Sequence, residues 1–406
     1  MTETWTAPKA TAAEWARRNL FNRWYNSALT VVLGVFLAWL AYKLVVVLFG
    51  IDYEIIRRNL LLFMVGEFPR DQIERPFIST ILFGLAFGLG AATAAASARH
   101  AAAEADLAYA APTPRMLVRR FWPLLALVAA LLAFTRTVMP TVMALSTILG
   151  GAALYFGARG MPRSMVRWGW MGTLVLGIAA FAVIIVGVDG GWNAWGGFQI
   201  NIFLAIAGIV IAFPFGLLLA LGRRSSLPVV RYLSVTYIEF IRGVPLITLL
   251  LMGVFALGFF LPEALRPGPA IRVLIAIVMF EAAYVAEVVR GGLQAVPKGQ
   301  LEAGQALGLP AWKTTRLIIL PQALRATIPA MVGQFISLYK DTTLVNLVGM
   351  FDVLEVALVV NSQSDFIGKR LFFLTLAFAG VLFWVGSYTM SREAQRLEKK
   401  LGIGER

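Results

Sequence analysis

The chain has 406 residues, 59% of them apolar, with Lys+Arg 36 against Asp+Glu 22, a formal net charge of +14 and a mean hydropathy of +0.77. Several uncharged runs reach the roughly 20 residues that cross about 30 Å of hydrocarbon, which excludes a soluble domain and the short alternating strands of a barrel. This chain has no cysteine, so disulfide and thiol chemistry are excluded; its basic residues lie in short segments between apolar runs, where they orient spans rather than bind nucleic acid.

The expected class is therefore all-α and polytopic. Arg17, Arg18 and Arg23 place the N-terminus in the cytoplasm. The first apolar run begins near Ala28, reaches about residue 50, and is a span rather than a cleavable signal. Residues 51–77 carry mixed charges (Asp52, Glu54, Arg57, Arg58, Glu67, Arg70, Asp71, Glu74, Arg75) and are expected outside as a loop. A second span over about 78–98 ends at Arg99, and its Gly84-x3-Gly88 spacing suits close helix packing. Residues 99–120 are alanine-rich, basic and cytoplasmic. The pair 121–135 and 137–157 is expected to form a hairpin turning at Arg136, although its first arm has only about 15 uncharged residues. Ten spans result if the hairpin crosses and eight if it does not, with the same parity. Gly150, Gly151 and Gly157 lie in an apolar run and serve helix packing, not nucleotide binding. A span at 168–188 and an external Asp189 complete an N-terminal transmembrane extension, residues 1–190.

Residues 191–406 continue the alternation. A span over 199–222 ends at Arg223 and Arg224 inside. An amphipathic stretch, 228–240, leads into a span ending near Leu261, followed by the external, proline-rich Pro262–Pro269. Spans follow at about 271–293, 325–350 and 371–390, and the basic tail Arg392–Lys400 is cytoplasmic. Trp168, Trp170, Trp192 and Trp195 stand near span ends as interface anchors.

Between two of these spans, residues 294–321 are polar and charged and cannot lie in lipid. Glu302 is expected to begin a short polar helix in which Ala303 and Gly304 offer little bulk. Gly308 suits a left-handed helix end, Leu309–Pro310 turns the chain, and Ala311–Leu320 forms a second short helix. Pro321 fits the first turn of the next span. The result is a helix–turn–helix elbow in the cytoplasm; from spacing alone, an ordinary solvated loop fits equally.

Ionisable residues inside spans are costly and are functional candidates. Glu281 lies near the middle of the 271–293 run, and Lys340 and Asp341 near the middle of 325–350. A zwitterionic amino acid needs an acceptor for its ammonium, which Asp341 or Glu281 supplies, and a donor for its carboxylate, which Lys340 supplies. The alternative is that Lys340 and Asp341 neutralise each other or another helix. Glu239 and Arg242, at i and i+3, pair on one helix face, as do Glu287 and Arg290 near the cytoplasmic end. Asn201 reads as helix glue, and Thr342 and Thr343 either bond a ligand or their own backbone. His100 is the single histidine, beside Arg99, so metal sites and histidine catalysis are not expected, and no G-x4-G-K-[ST] phosphate loop occurs.

The pattern Glu302-Ala303-Gly304-x3-Gly308-x9-Ile318-x-Leu320-Pro321 resembles the EAA loop of ABC importer permeases. Trp195-Gly196-Gly197, Glu239-x-x-Arg242-Gly243-x-Pro245, Ala283-Tyr284-x-Ala286-Glu287-x-x-Arg290-Gly291-Gly292, Val296-Pro297-x-Gly299-Gln300, Leu320-Pro321-Gln322-Ala323 and Lys340-Asp341-Thr342-Thr343-Leu344 resemble the polar amino-acid branch. Asn59…Gly66…Pro69 and the extra spans resemble the long permeases of general L-amino-acid importers. A second spelling, Glu281-Ala282-Ala283, has Glu287 rather than glycine six residues on and lies in a span.

The resemblance implies a five-helix permease core preceded by about five extra spans, or three. It implies a non-enzymatic half of an alternating-access pathway in a bacterial cytoplasmic membrane, with both termini inside. The elbow would dock on ATPase subunits, which would hold ATP and Mg, and no cofactor would bind this chain. The implied partners are those ATPases, a second, homologous but different permease subunit, an external amino-acid-binding protein and membrane lipid. The rival classes are an ATP-independent secondary transporter or channel, and a non-transporting membrane scaffold.

Overall fold

The computed structural model describes residues 11–50, 53–135, 138–188, 195–262, 266–369 and 371–402. Of the sequence expectations, Asp52, the turn at Arg136, Asp189 and Trp192 lie outside the described residues. Helices dominate, and among the described residues the extended pairing is an isolated bridge between Gly197 and Asp352.

Residues up to Glu54 form one compact unit and residues from Ile55 onward another. The first holds α1 (Ala12–Asn19) and α2 (Trp24–Gly50). Thr11 and Glu14 form a capping box that starts α1. The apolar residues of α2 are spread all round it, and its described side chains face outward, as in a span bathed in lipid.

The second unit begins with a departure from expectation. Residues 51–77 are not simply a loop: α3 (Glu54–Val65) forms there, and it buries Ile55, Ile56, Asn59, Leu60 and Phe63. Their spacing is helical, but four nearby charges mask it in the sequence.

Next come α4 (Glu74–Glu104), α5 (Pro114–Phe134), α6 (Met139–Ala158) and α7 (Arg163–Ile185). Gly84 and Gly88 lie where α4 crosses α6. A β-carbon on Gly84 would stand 2.5 Å from Thr147 Cγ2, and one on Gly88 would overlap the carbonyl of Gly151. The spacing that suggested close packing is thus where the two backbones meet.

The remaining helices are α8 (Gly197–Arg223), α9 (Pro228–Gly243), α10 (Leu246–Leu251), α11 (Leu257–Phe260) and α12 (Pro269–Ala295), then α13 (Lys298–Ala306) and α14 (Ala311–Thr314). The series ends with α15 (Leu320–Asp341), α16 (Val353–Val359) and α17 (Phe372–Leu401). Helix α9 and the α10–α11 arm, the latter bridged by a π turn at Met252–Ala256, meet at a 105° bend. Gly243-x-Pro245 makes it: Val244 is extended (φ −105, ψ 132), as a residue before proline prefers, and Pro245 opens the next helix.

Seven described helices have the length and composition to cross a membrane, and the bent pair is an eighth. Helices α12 and α15, 27 and 22 residues long, add two that carry charges. Both hairpin arms are helices long and apolar enough to cross a membrane, as the ten-span reading requires. The chain is a multi-pass membrane protein.

The expected 325–350 span is shorter than predicted. Helix α15 stops at Asp341, and Thr342–Val348 tightens into a 3-10 helix closed by Gly349 at φ +83. Thr342 and Thr343 hydroxyls donate to the carbonyls of Tyr339 and Lys340, at 2.8 and 2.9 Å, competing with the α ladder there. Lys340 and Asp341 therefore stand at a helix end, not at mid-span.

Polar contacts define two ends of the second unit. At one, Arg99 bonds the carbonyls of Gly160 and Met161, Arg159 that of Pro112, Arg120 pairs with Glu393, and Arg223 with Glu239. The α12–α15 connection lies at this end. At the other, Trp195 Nε1 donates to Ile184 O, Gly197 N to Phe351 O, and Asn59 and Gln363 exchange amide bonds.

Candidate functional site

The elbow between α12 and α15 is folded by its prolines and one glycine. Pro297 and Pro310 each open a helix, α13 and α14. The first arm begins at Lys298, so Glu302 lies in its middle rather than at its start, because Pro297 sets the entry. Gly308 (φ +72) ends the arm, with Leu309 N–H bonded to Gly304 O at 3.1 Å and Gly308 N–H to Gln305 O at 2.9 Å. This is a Schellman closure, and its left-handed position favours glycine.

The two arms clasp at a point that sequence reading missed. Gly304 is buried against Thr314, and a β-carbon at Gly304 would overlap Thr314 Cγ2. Thr314 is itself fully buried and donates to Leu309 O and Pro310 O at 3.4 and 3.3 Å. Glycine at the third position of the motif is thus matched to threonine on the opposite arm, and Gln322 Nε2 ties to Gln300 Oε1 at 3.2 Å. Glu302 and Ala303 face outward beside the exposed Leu307, Trp312 and Leu317.

The second arm is not a separate short helix. A π turn at Thr315–Ile319 runs from it into α15 without a break, and Leu320 N–H bonds Thr315 O. Pro321 has no N–H to return to Leu317, and the wider turn is the local adjustment at that gap. Ile319 is buried and Ile318 and Leu320 half-buried, while Pro321 is exposed on the first turn of α15. The outer arm and the span are one continuous rod.

Beneath the elbow is an ion cluster. Arg223 Nη1 lies 2.8 Å from Glu239 and 3.8 Å from Glu287; Arg242 lies 3.5 Å from Glu287, and Arg290 pairs with it at close range. The predicted Glu239–Arg242 pairing on one helix is replaced by pairing between helices. Arg242 turns toward α12, over the Tyr284 ring at 5.6 Å, leaving Glu239 to Arg223. Glu287 and Arg290 do pair at i, i+3, but Glu287 holds three arginines from α8, α9 and α12. Gly243 and Pro245 make the bend that directly follows this cluster.

The intramembrane candidates are not all brought together. Glu281 is fully buried and accepts 3.0 Å from Gln334 Nε2 of α15, while its Oε1 has no hydrogen-bond partner. Gln334 was not singled out from sequence; its signal is the i, i+7 spacing to Asp341, which puts both on one face of α15. Asp341 is half-buried on the last turn, and Lys340 is exposed. Thr342 belongs to a different cluster. Asn201 Nδ2 donates to Thr342 O and Asp352 Oδ2, both at 3.1 Å, Val353 N–H donates to Asn201 Oδ1, and Asp352 caps α16 through Glu355 N–H. This buried set pins the start of α8 to the segment after α15. Among the described residues no group of three or more His, Cys, Asp and Glu could hold a metal.

Residues 212–402 match the family described as binding-protein-dependent transport system inner membrane component. The chain is 47% identical over 210 residues to the inner membrane amino-acid ABC transporter permease protein YhdY of Escherichia coli (strain K12), covering 52% of this chain and 57% of that one. It is 47% identical to the glutamate/glutamine/aspartate/asparagine transport system permease protein BztC of Rhodobacter capsulatus, covering 52% of this chain and 48% of that one. The chain thus spans about half the length of these two relatives. It is 34% identical to the probable glutamine ABC transporter permease protein GlnP of Bacillus subtilis (strain 168), covering 50% of this chain and 91% of that one. A solved amino acid ABC transporter with histidines aligns at TM-score 0.45 and 29% identity, over 50% of this chain and 92% of that chain. With the family match running through the whole elbow and the Bacillus relative covered almost end to end, this chain belongs to the amino-acid ABC transporter permeases.

Proposed function

We propose that this chain is the membrane-spanning subunit of an ATP-driven amino-acid importer in the bacterial inner membrane, coupled to a separate ATPase through the elbow. The observation that carries this reading is the unbroken path from the outer arm, through the π turn, into α15. A push on Glu302, Ala303 or the exposed apolar residues beside them reaches α15 as a rigid displacement. Gly304, Gly308, Ile318, Leu320 and Pro321 keep the lever stiff. Helix α15 carries Gln334, the hydrogen-bond partner of Glu281, so movement at the elbow changes the surroundings of a buried carboxylate.

In this reading the partner ATPase holds ATP and Mg, and this chain performs no hydrolysis. Residues 191–406 act as the permease core and residues 1–190 as an added membrane extension. A second, related permease supplies the other half of the pathway, and an external binding protein delivers substrate. The elbow end faces the cytoplasm, because Arg99, Arg159, Arg163, Arg167, Arg223 and Arg224 gather there. Both termini then lie inside. Glu281 offers its second oxygen to a substrate ammonium, with Asp341 on the face of α15 that carries its partner Gln334, and Lys340 meets the carboxylate. Thr342 contributes by fixing the helix end rather than by touching substrate. Glu239, Arg242, Gly243 and Pro245 form the hinge whose ion pairs rearrange as the spans tilt.

Affinity purification from native membranes, followed by reconstitution of the co-eluting chains, tests this. ATP-dependent, vanadate-sensitive amino-acid uptake with an ATPase co-purifying is expected. Uptake that persists without any ATPase assigns the chain to the secondary transporters instead, and no flux with all co-eluting chains present leaves a scaffold.

A further inference from the structure

Helices α4 and α7 pack closely along their middle turns. Gly169 of α7 is buried against Thr93 of α4, where a β-carbon would overlap Thr93 Oγ1, and Gly90 meets Thr173 one turn further from the elbow end. Toward the elbow end the two helices border a cleft of about 620 Å³ lined by Ser97, His100, Glu104, Arg163, Arg167 and Trp170, among others. The cleft is held open from below. Arg99 donates to Gly160 O and Met161 O at 3.0 Å each, and His100 Nε2 lies 3.1 Å from Met161 O, so the turn before α7 is pinned to the last turns of α4.

That pinning sets Arg163 and Arg167 one helical turn apart on the wall of the cleft. Arg163 pairs with Glu104, while no carboxylate among the described residues pairs with Arg167. The site is therefore cationic on balance. Its membrane-side wall is apolar and aromatic: Trp170 and Met171 are 48% and 45% exposed, at the depth where a tryptophan marks the boundary between headgroups and acyl chains. Cationic donors above, an indole at the boundary and an opening toward lipid match one ligand chemistry. We propose that this cleft binds the phosphodiester headgroup of an anionic membrane phospholipid, with Arg167 as the phosphate donor, Arg163 shared between Glu104 and the lipid, and the first acyl carbons along Trp170 and Met171. Bound there, the lipid fills the wedge between α4 and α7 and gives the extension a role in seating the permease in an anionic bilayer. The proposal does not rest on the coupling role of the elbow.

Native mass spectrometry of the full chain with its co-purifying partners, titrated with phosphatidylglycerol, phosphatidylcholine or inorganic phosphate, tests it. Phosphatidylglycerol should be retained about tenfold or more over phosphatidylcholine, the scale set by two basic side chains at an anionic surface. Arg163→Gln with Arg167→Gln should abolish that preference, whereas Arg115→Gln with Arg119→Gln, which removes equal charge from the start of α5, should leave it. Arg163→Lys with Arg167→Lys should keep most of it and guards against a folding defect in the glutamine pair. Equal retention of the two lipids by the unaltered protein, or equal loss in both glutamine pairs, overturns the proposal. Displacement of the lipid by millimolar inorganic phosphate would show a free-anion site and overturns it as well.

Discussion

The extension and the core solve helix association in the same membrane by different means. In α4, α6 and α7 the middle of each interface is made by Gly84, Gly88, Ala92, Thr93, Ala96, Gly151 and Gly169, which bring backbones together, and the ionisable contacts, Arg75 to Val183 O and Val186 O and the Glu104–Arg163 pair, lie at the helix ends. In the core, helices also meet at glycines, Gly216 against Val285 and Gly292 against Ala323 and Thr327, but buried or half-buried polar contacts are added to them: Glu281–Gln334, the Asn201–Thr342–Asp352 set and the arginines around Glu287. Backbone contact is a fixed arrangement, lost only when the helices separate. Polar contacts inside a membrane can be exchanged for others of similar energy, so they suit helices that must adopt two arrangements. Under the proposed function, this difference makes residues 1–190 the part that stays and residues 191–406 the part that moves.

The hardest test of that contrast is at the elbow. Glu302→Lys reverses the charge of an exposed side chain that makes no hydrogen bond or ion pair within the described chain, so thermal unfolding of the purified protein should not change. Uptake should nonetheless fall by about tenfold or more, with ATPase recovery falling in parallel, the scale of losing a charge-assisted contact at an interface. Full ATPase recovery with the variant would remove Glu302 from the coupling surface.

A smaller effect is expected one layer deeper. Glu281→Gln keeps the shape and can still accept from Gln334, but removes the charge that a substrate ammonium would meet. Uptake should drop by roughly tenfold while the ATPase still co-purifies, a loss of binding or translocation rather than of assembly. Wild-type uptake in this variant would leave Glu281 a packing residue.

How far these differences were legible depends on how local their causes are. Gly84-x3-Gly88 could be read because helix packing recurs at a four-residue spacing on one chain segment. The elbow could be read because Gly308, Pro310 and Pro321 each impose a backbone state on their neighbours, while its start was misplaced because the role of Pro297 was not recognised. The Gly304–Thr314 clasp could not, since it depends on how two arms fold back. Nor could the true partner of Glu239: three arginines compete for two glutamates, and only the packing of α9 against α8 and α12 decides that Arg242 goes to Glu287 and Glu239 to Arg223. The length of α15 was overestimated because its apolar run continues to Val348, while the two threonine hydroxyls that end the α ladder look innocuous in sequence. Helix α3 was missed for the opposite reason, its apolar positions being interrupted in sequence by Arg57 and Arg58, which are exposed.

On the extension side, Gly88→Leu should cost about 1–3 kcal/mol of stability, the range for forcing bulk into a filled interface. The side chain would have to occupy the space of the Gly151 carbonyl, so α4 and α6 must move apart. Thermal unfolding should begin earlier, yet uptake per folded molecule should stay near wild type if the extension is static. A Gly88→Leu protein that is stable but uncoupled would break the comparison, since the α4–α6 interface would then take part in the cycle.

The smallest effect separates two neighbouring contacts by which α3 holds the far end of the core. Arg58 and Asp365 form a 2.8 Å ion pair, but their side chains are 51% and 64% exposed. Such a pair is worth about 0–1 kcal/mol, and Arg58 also lies over the Phe366 ring at 5.9 Å. Arg58→Ala should therefore shift unfolding by little, and less still at high salt. Asn59 is different: it is 8% exposed, exchanges two amide bonds with Gln363 at 3.0 and 2.8 Å, and also donates to Ile55 O. Asn59→Leu removes this amide pair; because Gln363 is exposed and can turn to water, the loss should be about 0.5–1.5 kcal/mol, the net worth of a typical hydrogen bond. If the two variants unfold at the same temperature, α3 is held by its buried Ile55, Ile56 and Phe63 alone, and the amide pair is incidental to how the extension grips the core.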